Sequence, residues 1–356
     1  MTTTAESDIT AELKKSVAPF TGDSEKPRTD IAVLLQQRRL NPDIVPPKLR
    51  PIYSLNGLVI ATPGNLATIN AGAKDGKTAI VGALIASVMA KRKDVDLLGF
   101  SSSNPNSYAV IHLDSEQSPD EHWLQFARAK KRAGRRRIPA WVHSYCLTGL
   151  EAALALECVW EAIRLGAELH GGIHSILIDG VADLVPDVND PGASNTFVAN
   201  LHGVAIRYDC PIIGVIHFNP GSDKSRGHLG SQLERKAETN LRLDKKDGVT
   251  TVWPDKQRRA PIPKSTGPRF RWSDEAGMHV SVEARQADTD DEEVARLTLL
   301  AEEIFADHPT MRYSALISTV KKRQKVTKRT AERRVSRMAT LKVICKSTAG
   351  YWTRRT

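Results

Sequence analysis

Between Asn70 and Ala90 the chain reads NAGAKDGKTAIVGALIASVMA: the end of an apolar strand, a short loop with two glycines, then an apolar helix. The loop closes on Gly76-Lys77-Thr78. In a phosphate-binding loop, backbone N–H groups wrap the anion and a lysine reaches the terminal phosphate oxygens. A Ser/Thr hydroxyl holds Mg²⁺, and the following helix points its N-terminus at the charge. Gly72, Ala73, Lys74, Asp75, Gly76, Lys77, Thr78 and Ala79 are therefore the expected nucleotide-binding set. Ala71 stands where the motif has its first glycine. Gly72 supplies the flexible turn one residue later, and the cradle is built mainly by the backbone of residues 73–78.

This unit fits a repeating pattern. From Leu58 to about Val282, apolar runs alternate with helical stretches. Strands are expected at 66–70, 108–114, 140–145, 175–179 and 211–218, with helices over 76–90, 119–134, 150–169 and 192–208. Short buried strands separated by helices make a mostly parallel sheet in an α/β domain. NLRLDKKDGVTTVWP and PRFRW read as antiparallel strands closing its edge. The expected division is a polar arm over 1–50 with one short helix, an α/β domain over 51–285, an acidic linker over 286–294 and a C-terminal domain over 295–356.

At 40% hydrophobic residues the chain has enough for a core. Its four cysteines (Cys146, Cys158, Cys210, Cys345) form no CxxC pair and no cluster with histidine. That speaks against structural zinc and for a reducing compartment. The longest apolar run, Ala79 to Ala90, is short of the roughly 20 residues that span a bilayer. The N-terminal stretch lacks the basic-then-apolar pattern of a secretion signal. A soluble cytoplasmic protein without a membrane partner is the expectation.

Three more strand ends carry polar residues. HSILIDGVADLV ends an apolar strand at Asp179, where a carboxylate accepts from a Mg²⁺-bound water. Thr78 and Asp179 are the expected metal set. VIHLDSEQSPDEHW ends a strand at Asp114, with Glu116 just beyond it, and each carboxylate is a candidate general base. The cap of the helix after Pro119 falls to Ser118. VIHFNP ends a strand at His217, where a polar residue senses the terminal phosphate and relays its loss to the next loop.

With these four motifs in this order, residues of about 50–285 resemble the RecA-fold ATPases of the DnaB/RepA replicative-helicase type. The nearer likeness is to the RepA-like ATPases of plasmids and mobile elements, whose signatures IDGVADLVPDVNDPGASN and SRGHLGSQLERKAE resemble. The resemblance implies a RecA-like P-loop NTPase core with ATP and Mg²⁺ as cofactors. It implies Glu116 as the residue that orients and deprotonates the attacking water, with Asp114 the alternative. Lys77, Asp179 and His217 complete the set within one chain. In DnaB-type enzymes a late strand carries a Lys-x-Arg that reaches a neighbouring subunit's γ-phosphate. WPDKQRRAP matches it with Lys256 as the trans lysine and Arg258 as the arginine finger, Arg259 being a second candidate. A homo-oligomeric ring, a hexamer, goes with this. Its DNA-contacting loop would fall in NPGSDKSRGHLGSQ (219–232), offering Lys224, Arg226 and His228 to single-stranded DNA.

The net charge of +10 is placed unevenly. Met311 to Thr356 holds fourteen Lys/Arg against one Asp/Glu, a net +13, so the rest of the chain is slightly acidic. Such a block points to a polyanion partner. EEVARLTLLAEEIF, SALISTVKKR and KRTAERRVSRMATLK read as three helices and VICKSTAGYWT as a hairpin. Together they resemble a winged helix-turn-helix whose third helix enters the major groove of duplex DNA. Arg329, Arg333, Arg334 and Arg337 are the expected DNA contacts there. The leading expectation is thus an ATP-driven DNA motor: a ring helicase or helicase loader in replication of a plasmid or mobile element. Its rival is a non-motor protein that uses ATP as a switch for assembly on DNA, in replication initiation or transcriptional control. A signalling ATPase of the same fold gives the basic segment no role.

Overall fold

The computed structural model describes residues 31–45, 48–72, 74–92, 94–219, 225–259, 262–282, 290–306, 308–347 and 350–354, with the backbone alone for 290–296. Most of the expected arm over 1–50, Ala73, Lys224 and part of the expected acidic linker lie outside these residues. The chain divides into two compact units, residues 1–281 and 282–356. Among the described residues no helix is long and apolar enough to cross a membrane.

The first unit follows a short helix, α1 (Ile31–Arg38), and is built on a nine-stranded sheet. Its strands are β3 (Leu66–Ala71), β5 (Ala109–Asp114), β6 (Val142–Cys146), β7 (Ile173–Asp179), β8 (Ile212–His217), β9 (Thr239–Lys246), β10 (Val249–Gln257), β11 (Arg269–Ser273) and β12 (Met278–Val282). Their order is β12-β11-β10-β9-β3-β8-β7-β5-β6. Every pairing from β9 across to β6 is parallel, whereas β9–β10 and β10–β11 are antiparallel. This is an α/β fold with a large, mostly parallel sheet. A small antiparallel sheet of β1 (Tyr53–Leu55), β2 (Leu58–Ala61) and β4 (Phe100–Ser102) joins it. These strands of three or four residues are too short to show a period in the sequence.

Helices cover both faces of the large sheet. α2 (Lys77–Met89) and α3 (Pro119–Arg132) lie on one, α4 (Ala152–His170) and α5 (Pro191–Arg207) on the other. Alternation along each strand divides the core accordingly. Ile69, Val110, Leu177, Ile213 and Val215 pack with Ile80, Leu84 and Ile85 of α2. Ile111, Leu113, Ile176, Ile178 and Ile216 pack with Val159, Ile163, Phe197 and Leu201 of α4 and α5. β3, β5 and β7 are buried along their whole length, which is why their sequences run apolar rather than alternating.

Local signals set the helix ends. Ser118 caps α3 by accepting from Glu121 N at 3.4 Å, with Pro119 at the first helical position. Asp120 and Glu121 in its first turn and Lys130, Lys131 and Arg132 in its last complement the helix dipole. Asp190 caps α5, accepting from Gly192 N at 2.7 Å.

The structure corrects one expectation. The stretch 219–232, read as a single loop, is partly helical: α6 spans Gly227–Lys236. Leu229 and Leu233, four residues apart, bury one face of it. His228 therefore sits on a helix, leaving the loop proper at 219–226.

The second unit is α7 (Asp290–Phe305), β13 (Thr310–Met311), α8 (Tyr313–Gln324), α9 (Lys328–Thr340), β14 (Ile344–Lys346) and β15 (Trp352–Arg354). Its sheet is antiparallel, in the order β13-β15-β14. Leu300, Ile304, Leu316, Val320, Val335 and Met338 close a small core of its own. Thr327 caps α9 by accepting from Thr330 N at 3.3 Å.

Candidate nucleotide site

Parity along the strands places the chemistry. Asp114, Asp179 and His217 are the last residues of β5, β7 and β8, and all three share the sheet face covered by α2 and α3. In the register Asp114 lies opposite Asp179, and His217 opposite Ala71 at the end of β3. The loop from Gly72 to Gly76 leaves this same edge and delivers Lys77 as the first residue of α2.

Gly76 has φ 96°, a left-handed backbone that side chains disfavour, and a Cβ there would stand 2.9 Å from the Phe270 ring. Thr250 Oγ1 donates to Asp75 O at 3.0 Å, and Lys245 Nζ to Lys74 O at 3.3 Å. Strands β9 to β11 thus buttress the loop from behind. Lys74 also adopts a positive φ of 65°. Ala71 is fully buried in the strand, so the missing glycine of the motif lies in regular β structure.

Lys77 is buried, and burial holds its ammonium below the ordinary lysine pKa, against the pull of Glu116, Asp179 and Asp75. Its Nζ donates to Gly72 O at 2.9 Å and lies 3.0 Å from His217 Nδ1. An ammonium can only donate, so Nδ1 accepts and the ring proton sits on Nε2. Nε2 then donates to Glu116 Oε2 at 2.9 Å. Lys77, His217 and Glu116 form one hydrogen-bonded chain across three elements.

Asp179 is 3% exposed, and burial, followed by the charges of Asp114 and Glu116, pushes its carboxyl up to about 8. Its Oδ2 has no hydrogen-bond partner. A buried, orphaned carboxylate oxygen facing a lysine fits the water shell of a divalent cation. Thr78, half-buried on the first turn of α2, stands on the same edge.

Asp114, the alternative base, is committed elsewhere. Its Oδ1 accepts from the backbone N–H of Glu116 and of Gln117, each at 3.0 Å, and its Oδ2 accepts from His122 Nδ1 at 3.1 Å. Burial alone would raise its pKa, but these bonds hold it below the ordinary carboxylate value. Asp114 therefore shapes the turn that aims Glu116.

Sequence reasoning missed the network behind this turn. His122 Nε2 lies 3.0 Å from Ser144 Oγ, which lies 2.8 Å from His112 Nδ1. His112 is buried, its pKa lowered to about 4 by burial, and its Nε2 is unpartnered. One ligand atom each from His112, Asp114 and Asp179 falls within 4.8 Å of the others. The sequence offered only a signal of type, two histidines flanking the LDSEQ stretch, without the pairing that joins them.

A cleft of about 470 Å³ opens beside Thr78 and Glu116, lined also by Gln125, Arg128, Trp272 and His279. A larger apolar groove of about 790 Å³ lies against β6, α4 and α5 on the far side of the sheet, without a residue of the phosphate loop.

The remaining expected residues lie apart. Lys256 pairs with Asn240 and Gln257 with Thr239, beside Thr68 and Ala67 in the first half of β3. That is the end of the sheet away from the loop, so neither Lys256 nor Arg258 serves the site of its own chain. Lys256 Nζ donates to Glu234 O, Arg235 O and Ala237 O at 2.7, 2.9 and 3.1 Å, closing the C-terminus of α6. Arg259 pairs with the buried Glu238 at 2.6 Å. Arg258 is exposed, with one long bond to Lys236 O at 3.4 Å.

Arg226 is exposed, and its backbone N–H donates to His217 O at 3.0 Å. His228 is exposed on α6. In the second unit, Arg329, Arg333 and Arg337 are exposed on α9, while Arg334 is half-buried and donates to Gln324.

No protein-family model matches the chain, and no curated protein matches it. Among solved structures it is similar to the ATPase domain of a helicase, at 14% identity over 62% of this chain and 86% of that one, with a TM-score of 0.44. It is likewise similar to the RadB recombinase, at 15% identity over 64% of this chain and 95% of that one, with a TM-score of 0.42. At these values the likenesses carry no weight for the chemistry, which stands on the geometry of the loop and its carboxylates.

Proposed function

We propose that the chain is an ATP-hydrolysing, DNA-associated protein with a RecA-like core, working as a ring motor or helicase loader of the RepA type. The observation that carries this is the hydrogen-bonded chain Lys77–His217–Glu116 at the mouth of the glycine loop, beside a buried Asp179 with a free oxygen.

Lys77 holds a carbonyl and an imidazole where a terminal phosphate would take its protons. ATP binding would then release His217 Nδ1 and leave Glu116 facing the phosphate. Glu116 accepts the proton of a water whose oxygen attacks the γ-phosphorus as the bond to the β,γ-bridging oxygen breaks. ADP and phosphate result. Mg²⁺ bound at Thr78 and, through water, at Asp179 supplies charge neutralisation of the phosphates. The 470 Å³ cleft has the size of a small-molecule site and offers the Trp272 ring to the nucleoside. His217 O holds the backbone of Arg226, so loss of phosphate at His217 reaches the loop at 219–226 directly.

Arg258 is the exposed cation of its group and the finger offered to a neighbouring copy, in a ring read as a hexamer. Lys256 and Arg259 are occupied within their own chain. The second unit is read as a winged helix with α9 as the recognition helix for duplex DNA. Lys224, Arg226 and His228 are the contacts offered to a single strand.

Steady-state phosphate release and strand displacement test the proposal together. The wild-type chain should hydrolyse ATP, with activity per subunit rising with concentration, and Lys77→Ala should abolish it. Arg258→Ala should lower turnover by about 10³-fold or more without lowering ATP affinity. Unwinding of a forked duplex marks a motor, whereas hydrolysis without it marks a switch. Full activity of Lys77→Ala would overturn the assignment.

A further inference from the structure

Seven of the ten residues from Arg128 to Arg137 are Lys or Arg, and the nucleotide site uses few of them. Some have structural duties. Arg135 Nε donates to Met89 O at 2.6 Å, closing the C-terminus of α2, and Lys131 Nζ donates to Ala276 O at 2.7 Å. Arg132 is buried against Asp96. Helix ends account for that much. Arg136 and Arg137 are left over: both are exposed, and neither bonds to another described residue. Lys91, just past α2, is in the same position.

Lys91, Arg135 and Arg137 line one cleft of about 520 Å³. Ser103 and Ser107, both exposed, add hydroxyls, and half-buried Trp141 adds an aromatic ring anchored on the core. No acidic side chain lines it. The nearest carboxylate in sequence, Asp94, is paired with Arg92. The cleft lies where β5 and β6 begin and α2 ends, which is the end of the sheet opposite the phosphate loop. It therefore belongs to neither the nucleotide site nor the loop at 219–226.

We infer that this cleft is a second polyanion site of the first unit and takes the backbone of single-stranded nucleic acid. Unpaired cations without an opposing acid call for phosphates. A rigid ring beside them gives an unpaired base a stacking surface, the combination that single-strand binding uses. An acidic peptide would use the cations but not the ring. A membrane surface would be met by exposed apolar side chains, and no large exposed apolar residue falls within 88–107 or 134–141. The inference is independent of ATP hydrolysis.

The test uses the full chain with Arg329 and Arg333 already changed to Ala, so that α9 does not mask the cleft. Anisotropy of a labelled oligo-dT is measured without nucleotide over a salt series, before and after adding Lys91→Ala, Arg136→Ala and Arg137→Ala. On single strands each lost phosphate contact flattens the log–log salt slope by about 0.7. Three should flatten it by about 2 and weaken binding about 10²-fold at 0.1 M salt. The melting temperature and DNA-free ATP turnover should be unchanged, since these residues bear on neither. Unchanged affinity and slope would overturn the inference. So would displacement of the oligonucleotide by poly-glutamate as effectively as by unlabelled oligo-dT, which would make the cleft an acidic-peptide site.

Discussion

Histidines in this chain divide by what surrounds them. His217 is partly exposed and bonded to a lysine and a glutamate, a position that responds to a ligand. His174 is its opposite. At the start of β7 it is 4% exposed, bonded to Ser175 Oγ at 3.0 Å and Ser103 O at 3.2 Å, and burial lowers its pKa to about 4. Above its unfolded value near 6.5, both states are neutral and pH has no effect through this group. Below it, the unfolded chain takes up the proton first, so stability falls as pH drops from about 6.5 to about 4. His112 and His279, also lowered to about 4 by burial, add to the same slope. His174→Gln should therefore lower the melting temperature at pH 7.5 yet lose less than wild type on going to pH 5. An equal loss in both proteins would show that His174 is not held neutral.

The sequence made Lys77, Thr78, Asp179 and Glu116 legible because each sits at a junction whose type is written locally: a loop before a helix, or a strand end. What Asp114 and Lys256 do was not legible. Asp114 is defined by His122 and two backbone N–H groups, and Lys256 by three carbonyls of α6 about twenty residues away. Such partners exist only once the fold brings them together.

At the scale of elements, the parallel strands were readable as apolar runs because both faces are buried. The expected strand at 140–145 falls at Val142–Cys146, and the helix at 150–169 at Ala152–His170, ended by Gly171 with φ 70°. α6 was not read because its opening glycines and serine look like loop, while Leu229 and Leu233 carry too short a period. Glycine positions test how elements meet. In α4, a Cβ on Gly166 would stand 2.5 Å from Ile111 Cδ1 and 3.2 Å from Ala109 Cβ, so the helix can lie on β5 only without one. In α5, a Cβ on exposed Gly203 would meet nothing within 4 Å. Gly166→Ala should destabilise by about 1–3 kcal/mol through overpacking. Gly203→Ala should stabilise by about 0.5–1 kcal/mol through helix propensity. Urea denaturation of both variants checks this, and the same sign for the two would refute the packing argument.

For the whole molecule, the parallel sheet gives the first unit two chemically distinct ends. Strand C-termini gather the glycine loop, Asp179, Glu116 and His217, while strand N-termini gather Lys91, Arg135, Arg137 and Trp141. The second unit carries its own core and an exposed basic helix. The charge map of the sequence pointed only to the last of these, because the acidic remainder of the first unit hides its local basic run in the sum. The account turns on Glu116 acting as the base while Lys77 and Asp179 serve binding and charge. The most direct measurement is single-turnover phosphate release by Glu116→Gln, beside its ATP affinity by titration calorimetry. The account predicts ATP binding at wild-type affinity with release slowed by at least about 10²-fold. Wild-type release rates in Glu116→Gln would contradict it.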